Sequence, residues 1–176
     1  ADEIDVFALV EAMQPGWNLG NTFDAKQGET SWGNPKVTRE LIAAIRAEGF
    51  NSFRLPVTWG HAVGEAPDYT IDPAYMARVQ EVLDWCLEEG FIVMLNMHHD
   101  SDDFYDLPER PELLNRFRRI WEQIAENFKD YPADRVLFEA INEPRFSEDW
   151  EAAEQAHLDA TDAMNNTAYE VIRASG

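Results

Sequence analysis

Basic residues are scarce. There are 14 Lys and Arg against 34 Asp and Glu among 176 residues, a formal charge of −20. Nucleic acid and anionic membranes both demand a basic face, so neither is an expected partner. There is one cysteine, Cys86, so no internal disulfide can form. With Leu83 and Leu87 beside it, Cys86 reads as a small buried apolar residue rather than a reactive thiol. No apolar run reaches the roughly 18 to 20 residues of a membrane span. Ala1-Asp2-Glu3 has neither the basic region nor the apolar core of a leader peptide. A Gly-x-Gly-x-x-Gly phosphate cradle is also missing, since Gly16 and Gly20 stand apart, which disfavours a nucleotide-binding sheet. Asn165-Asn166-Thr167 is a formal glycosylation sequon of the kind that chance supplies.

What is present is an ordinary globular composition, 45% apolar and 27% charged, at the length of one domain. Short apolar runs alternate with amphipathic stretches. Strands are expected at Gly16 to Gly20, Asn51 to Pro56, Phe91 to Met97 and Val136 to Ile141. Between them, Thr38 caps a helix with Leu41, Ile42 and Ile45 on its apolar face, and Gly49 stops it. Asp72 and Pro73 open a second, with Met76, Val79, Leu83, Cys86 and Leu87 on one side and Gly90 after it. Pro111 opens a third, facing inward with Leu114, Phe117, Trp121, Ile124 and Phe128. A last helix is expected from about 149 to 174, with Trp150, Ala153, His157, Thr161, Met164, Ala168 and Val171 on one side.

Four strand–helix units in series predict an α/β fold with a parallel sheet and helical crossovers. Two architectures fit: a doubly wound sheet, or part of a (β/α)8 barrel. In either, chemistry sits at the carboxyl ends of the strands. Polar side chains gather there, at Asn18 to Asn21, Arg54 to Trp59, Asn96 to Asp100 and Asn142-Glu143-Pro144. Glu143, fixed by Pro144 after an apolar strand, is a candidate proton donor if its carboxyl is partly desolvated. Asn142 could bind a substrate hydroxyl or simply form a turn. Arg54 must be paired, for example with Glu139, and could orient a carboxylate. His98-His99-Asp100 invites a metal, but adjacent strand residues point to opposite faces and no further ligands appear at familiar spacing. No metal or cofactor is expected. Trp32, Trp59 and Tyr69 lie in or beside loops, where aromatic faces make platforms for pyranose rings.

Four motifs then appear in order: Gly16-Trp17-Asn18-Leu19-Gly20-Asn21-Thr22-Phe23-Asp24-Ala25, Phe50-Asn51-Ser52-Phe53-Arg54-Leu55-Pro56-Val57-Thr58-Trp59, Val93-Met94-Leu95-Asn96-Met97-His98-His99, and Phe138-Glu139-Ala140-Ile141-Asn142-Glu143-Pro144-Arg145. Together they resemble glycoside hydrolase family 5, most closely its endo-β-1,4-glucanase (cellulase) branch, some members of which also cut xyloglucan, xylan or mannan. The resemblance covers essentially the whole chain. It implies a (β/α)8 barrel that retains anomeric configuration with two glutamates. Glu143 would be the general acid/base, Asn142 would hold the sugar 2-hydroxyl, and Arg54 would support the nucleophile. His98 would line the −1 subsite with His99 beside it. Asn21, Asp24, Trp32 and Trp59 would be glucan contacts. The family's nucleophile lies on the seventh strand, and no residue here matches it. Residues 1–176 are therefore expected to form a single (β/α)4 half-barrel, closed as a homodimer or by a complementary C-terminal half. The partner would be a β-glucan polysaccharide or oligosaccharide. The location would be extracellular, with any leader removed or outside this chain. Two functions remain open at this point: a hydrolase, or an inactive half-barrel that at most binds glucan.

Overall fold

A computed structural model describes residues 4–149 and 154–176. Strands β1 (Gly16–Asn18), β2 (Ser52–Leu55), β3 (Ile92–Asn96) and β4 (Val136–Glu139) form one sheet in the order β1-β2-β3-β4, all neighbours parallel. A doubly wound sheet reverses its strand order at a switch point. This order runs straight through, as in a barrel wall. The described residues also form α-helices α1 (Val6–Ala12), α2 (Arg39–Ala47), α3 (Pro73–Glu88), α4 (Leu113–Phe128) and α5 (Gln155–Ser175), with short 3-10 turns at Gly60–Ala62 and His99–Phe104.

Local chemistry sets the helix ends. Thr38 Oγ1 accepts from the Leu41 amide at 3.2 Å, and Asp72 Oδ1 from that of Ala74 at 2.8 Å, each satisfying an orphan donor of the first turn. Gly49 and Gly90 take φ of +95° and +91° just past α2 and α3, a conformation in which a Cβ is costly. Helix α1 was not expected from the periodicity. Asp5 starts it, accepting from the Phe7 and Ala8 amides, and none of its seven residues is buried. The expected inward positions Trp150 and Ala153 lie outside the described residues.

Strand register sorts the side chains by face, because they alternate. Asn18, Arg54, Met94 and Leu137 pair across one row, with Asn96 opposite Glu139 further along. These share the inner face. The intervening Phe53, Leu55, Val93 and Leu95 point outward and are wholly buried beneath the helices, against a core that includes Ile42, Val79, Leu83, Phe117, Ile120, Trp121 and Ile124. Full burial of each such side chain contributes about 1.5–3 kcal/mol. Leu41 departs from its expected place, standing exposed on α2 while Ile42 and Ile45 are buried. Cys86 is buried in α3, and burial pushes its thiol pKa up, so it is an inert core residue. The sequon lies within α5, with Thr167 buried, which is not the exposed loop that glycosylation needs. Among the described residues no helix is long and apolar enough to cross a membrane.

Candidate active site

Arg54 is the hub of the inner face. From β2 it reaches past β3 to β4, where its Nε and Nη2 donate to Glu139 Oε2 and Oε1 at 2.9 and 2.6 Å. This is the pairing expected from sequence, in the bidentate geometry that suits guanidinium and carboxylate. Nη2 also donates to Asn142 Oδ1 at 3.0 Å, and Nη1 to Asn18 Oδ1 at 2.9 Å. Three strands and the β4 rim are thereby held by one side chain. The hydrogen bond to Glu139 raises the Arg54 pKa against the opposing effect of burial, and the charges of Glu139, Asp24 and Glu143 add to it. Burial alone would raise Glu139, but hydrogen bonds from Arg54 and Asn96 outweigh it and hold this carboxyl below its usual range.

Asn142 and Glu143 sit on the turn after β4. The Asn142 amide donates to Met97 O at 2.8 Å, tying this turn to the end of β3. With Oδ1 taken by Arg54, the Asn142 side chain presents its NH2 group as donor. Glu143 has φ of +44°, uncommon for a residue with a long side chain and a form of strain concentrated at functional sites. It is exposed, which corrects the expectation of partial desolvation. The strand sheet on this side leaves it open to solvent, although it stands within the field of Arg54.

His98 and His99 also correct an expectation. Alternation of faces applies only while a strand continues, and β3 ends at Asn96. His98 has ψ of −94°, and the two rings meet edge to face with centroids 4.7 Å apart. Asp24 joins them, so that one ligand atom from each of the three lies within 4.8 Å of the others. These three are the residues that could approach a cation. Asp24 is already engaged: its Oδ1 and Oδ2 accept from the Thr22 and Asn21 amides at 2.7 and 3.0 Å. It is buried and shapes the loop after β1, placing the exposed Asn21 at φ of +56°. Burial, reinforced by His99 and Arg54, pushes the His98 pKa down to about 4, so the ring is neutral at neutral pH.

The aromatic residues divide. Trp32 is 46% exposed and leans on His99, with ring centroids 5.5 Å apart, so its face is open at the rim. Trp59 has no exposed surface, contrary to its expected role as a glucan contact. Its Nε1 donates to Asn96 O at 3.0 Å and its amide to Asp100. It is a wedge under the rim. Tyr69 is half-buried, with its carbonyl bound by Gln123 of α4. Asp100, which sequence reasoning used only as part of a polar cluster, is buried and accepts from the Trp59 and Gly60 amides. Burial raises its pKa to about 6 against those hydrogen bonds. Asn96 was likewise read only as part of that cluster. The available signal was a lone amide in the apolar run from Phe91 to Met97.

Consecutive parallel strands with ionic and imidazole groups gathered at their carboxyl ends have the arrangement of one wall of a (β/α) barrel. The family is more specific. Residues 18–176 match Cellulase (glycosyl hydrolase family 5), and the chain belongs to that family. Endoglucanase B of Paenibacillus lautus is 44% identical over 173 residues, 96% of this chain and 30% of that protein. The tri-modular endo-β-1,4-glucanase B of Bacillus halodurans superposes with a TM-score of 0.95 at 47% identity, covering 99% of this chain and 33% of that one. A tri-modular family 5 endo-β-1,4-glucanase from Bacillus licheniformis, solved with cellotetraose, gives 0.87 at 42% identity, covering 96% and 31%. The chain thus spans about a third of the length of each of these proteins.

Proposed function

We propose that the chain is a half-barrel of an endo-β-1,4-glucanase, which cleaves β-1,4-linked glucan once a second half closes the sheet. Residues 1–176 form the single unit. Glu143 is the general acid/base, protonating the leaving glycosidic oxygen and then activating water. Asn142 donates to the sugar 2-hydroxyl, and His98 and His99 line the same subsite. Trp32 offers a ring face to glucan and Asn21 a polar rim contact. Trp59 and Asp24 act through the loops they hold rather than by touching sugar. The site needs no cofactor in this reading.

The observation that carries the proposal is the bonding of Arg54. Four of its five N–H donors are used among the described residues, and the Nη1 group keeps one hydrogen on the Asn18 side, toward the β1 edge. A second carboxylate brought to that edge meets a prepared cation. Retaining chemistry requires it roughly 5–5.5 Å from the acid. The edge strand β1 also carries an exposed apolar residue, Trp17, at 39%. Strand edges flanked by apolar surface pair with available strands. A homodimer, with β4 of each copy beside β1 of the other, or a complementary C-terminal half, would cover both. Glucan as a polymer places the working protein outside the cell.

The open position of Glu143 favours a second reading, a half-barrel that binds glucan without cutting it. Sedimentation of the chain, followed by reducing-sugar assays on a soluble cellulose derivative, separates the two. Associated chains that release reducing sugar support the hydrolase. Glucan binding without release supports the second reading, and a stable folded monomer overturns the closure.

A further inference from the structure

One buried amide binds the rim together. Asn96, the last residue of β3, has no solvent exposure, and an amide buried there is costly unless its groups are all bonded. They are. Oδ1 accepts from the Val57 amide at 3.0 Å. Nδ2 lies 2.9 Å from Glu139 Oε1 and 3.1 Å from His98 Nδ1. The orientation is unambiguous, because a backbone N–H can only donate and the Arg54-paired carboxylate can only accept. One Nδ2 hydrogen therefore serves Glu139 and the other serves His98. His98 Nδ1 is an acceptor, and the proton of the neutral ring sits on Nε2.

We infer that Asn96 is a positioning residue that locks His98 in its Nε2–H tautomer, so that the imidazole meets a ligand as a hydrogen-bond donor. That the ligand is glucan rests on the function proposed above; the lock itself does not. The groups facing the ring are His99, Arg54, Asp24 and Glu139; burial, His99 and Arg54 disfavour its charged form and outweigh the opposing pull of the two carboxylates, so the locked tautomer is the resting one at neutral pH. The same bond disfavours the Asp24–His98–His99 group as a cation site. A cation on His98 Nε2 would move the ring proton to Nδ1, against the Asn96 amide hydrogens. Through its second hydrogen Asn96 also steadies Glu139, and so Arg54. One side chain thus sets both the donor character of His98 and the aim of the guanidinium.

Long-range proton–nitrogen correlation spectra of the chain labelled with 15N-histidine at pH 7 test this, with His98→Gln assigning the resonance. Wild type should show Nε2 protonated and Nδ1 bare. Asn96→Asp keeps an acceptor for Val57 but presents oxygen where Nδ2 stood, so Nδ1 should become protonated. A wild-type His98 protonated on Nδ1 overturns the inference, and so does an Asn96→Asp chain whose tautomer is unchanged. Should that variant not fold, the wild-type spectrum still decides. Associated chains without glucanase activity but with His98 protonated on Nε2 would refute the hydrolase reading and leave the lock standing. An active chain protonated on Nδ1 would do the reverse.

Discussion

The two faces of the sheet are built from the same strands and are opposites. Outward, Phe53, Leu55, Val93 and Leu95 are sealed under helices. Inward, Arg54 and Glu139 keep 28% and 27% of their side-chain surface, and Met94 and Leu137 are half-buried. The outer face is a finished core whose stability is local to this chain. The inner face is a polar network on an apolar floor, held in shape by hydrogen bonds and open on one side. Packing makes the platform; the ionic and amide bonds place the chemistry on it.

Substitutions should separate the faces. Phe53→Ala or Trp121→Ala, in the outer core, should cost about 3–5 kcal/mol in denaturant unfolding. Loss of less than about 1 kcal/mol would show that the outer face is not the main source of stability. Arg54→Ala strands Glu139 without its partner. The expected cost is about 1–3 kcal/mol, below the roughly 3–5 kcal/mol of a fully buried pair because both groups keep some solvent. A Glu139→Gln, Arg54→Ala double variant should recover part of it.

The inner face should also respond to pH. The His98 pKa is depressed from 6.5 to about 4, so as pH falls through that window the unfolded chain takes up a proton that the folded chain refuses, and stability is lost. Asp100 opposes this: its pKa is raised from 3.8 to about 6, so its contribution to stability is lost as pH rises over nearly the same range. His98→Gln should therefore remove an acid-side loss. The stability gap between wild type and variant should shift in favour of the variant as pH falls from about 6.5 to 4. A pH-independent gap would show that His98 is not the depressed group. The smallest effect is expected from Asn18→Ala, about 0.5–1 kcal/mol for one exposed hydrogen bond to Arg54.

Much of this was legible in the sequence. Thr38, Asp72, Gly49 and Gly90 mark helix ends through chemistry local to a few residues, and the four apolar runs mark the strands. The Arg54–Glu139 pair followed from the cost of an unpaired buried charge. What failed depended on distant partners. Trp59 reads as a loop aromatic, yet its indole is drawn beneath the rim by the Asn96 carbonyl of another strand. His98 and His99 read as diverging because the period-two rule was carried past the end of β3. Helix α1 carries local signals that the reading above did not use, Asp5 as a cap and Val6, Leu9, Val10 and Met13 at helical spacing. Asn96 was hidden because its partners, Val57, Glu139 and His98, come together only when three strands align.

The central claim is that Glu143 supplies the proton when the inner face is closed. Reducing-sugar release from a soluble β-1,4-glucan by associated wild-type chains and by Glu143→Gln tests it most directly. The account predicts activity in wild type and a loss of about 10²–10⁴-fold in the variant, with unfolding unchanged within about 0.5 kcal/mol. Equal release by the two proteins would contradict it.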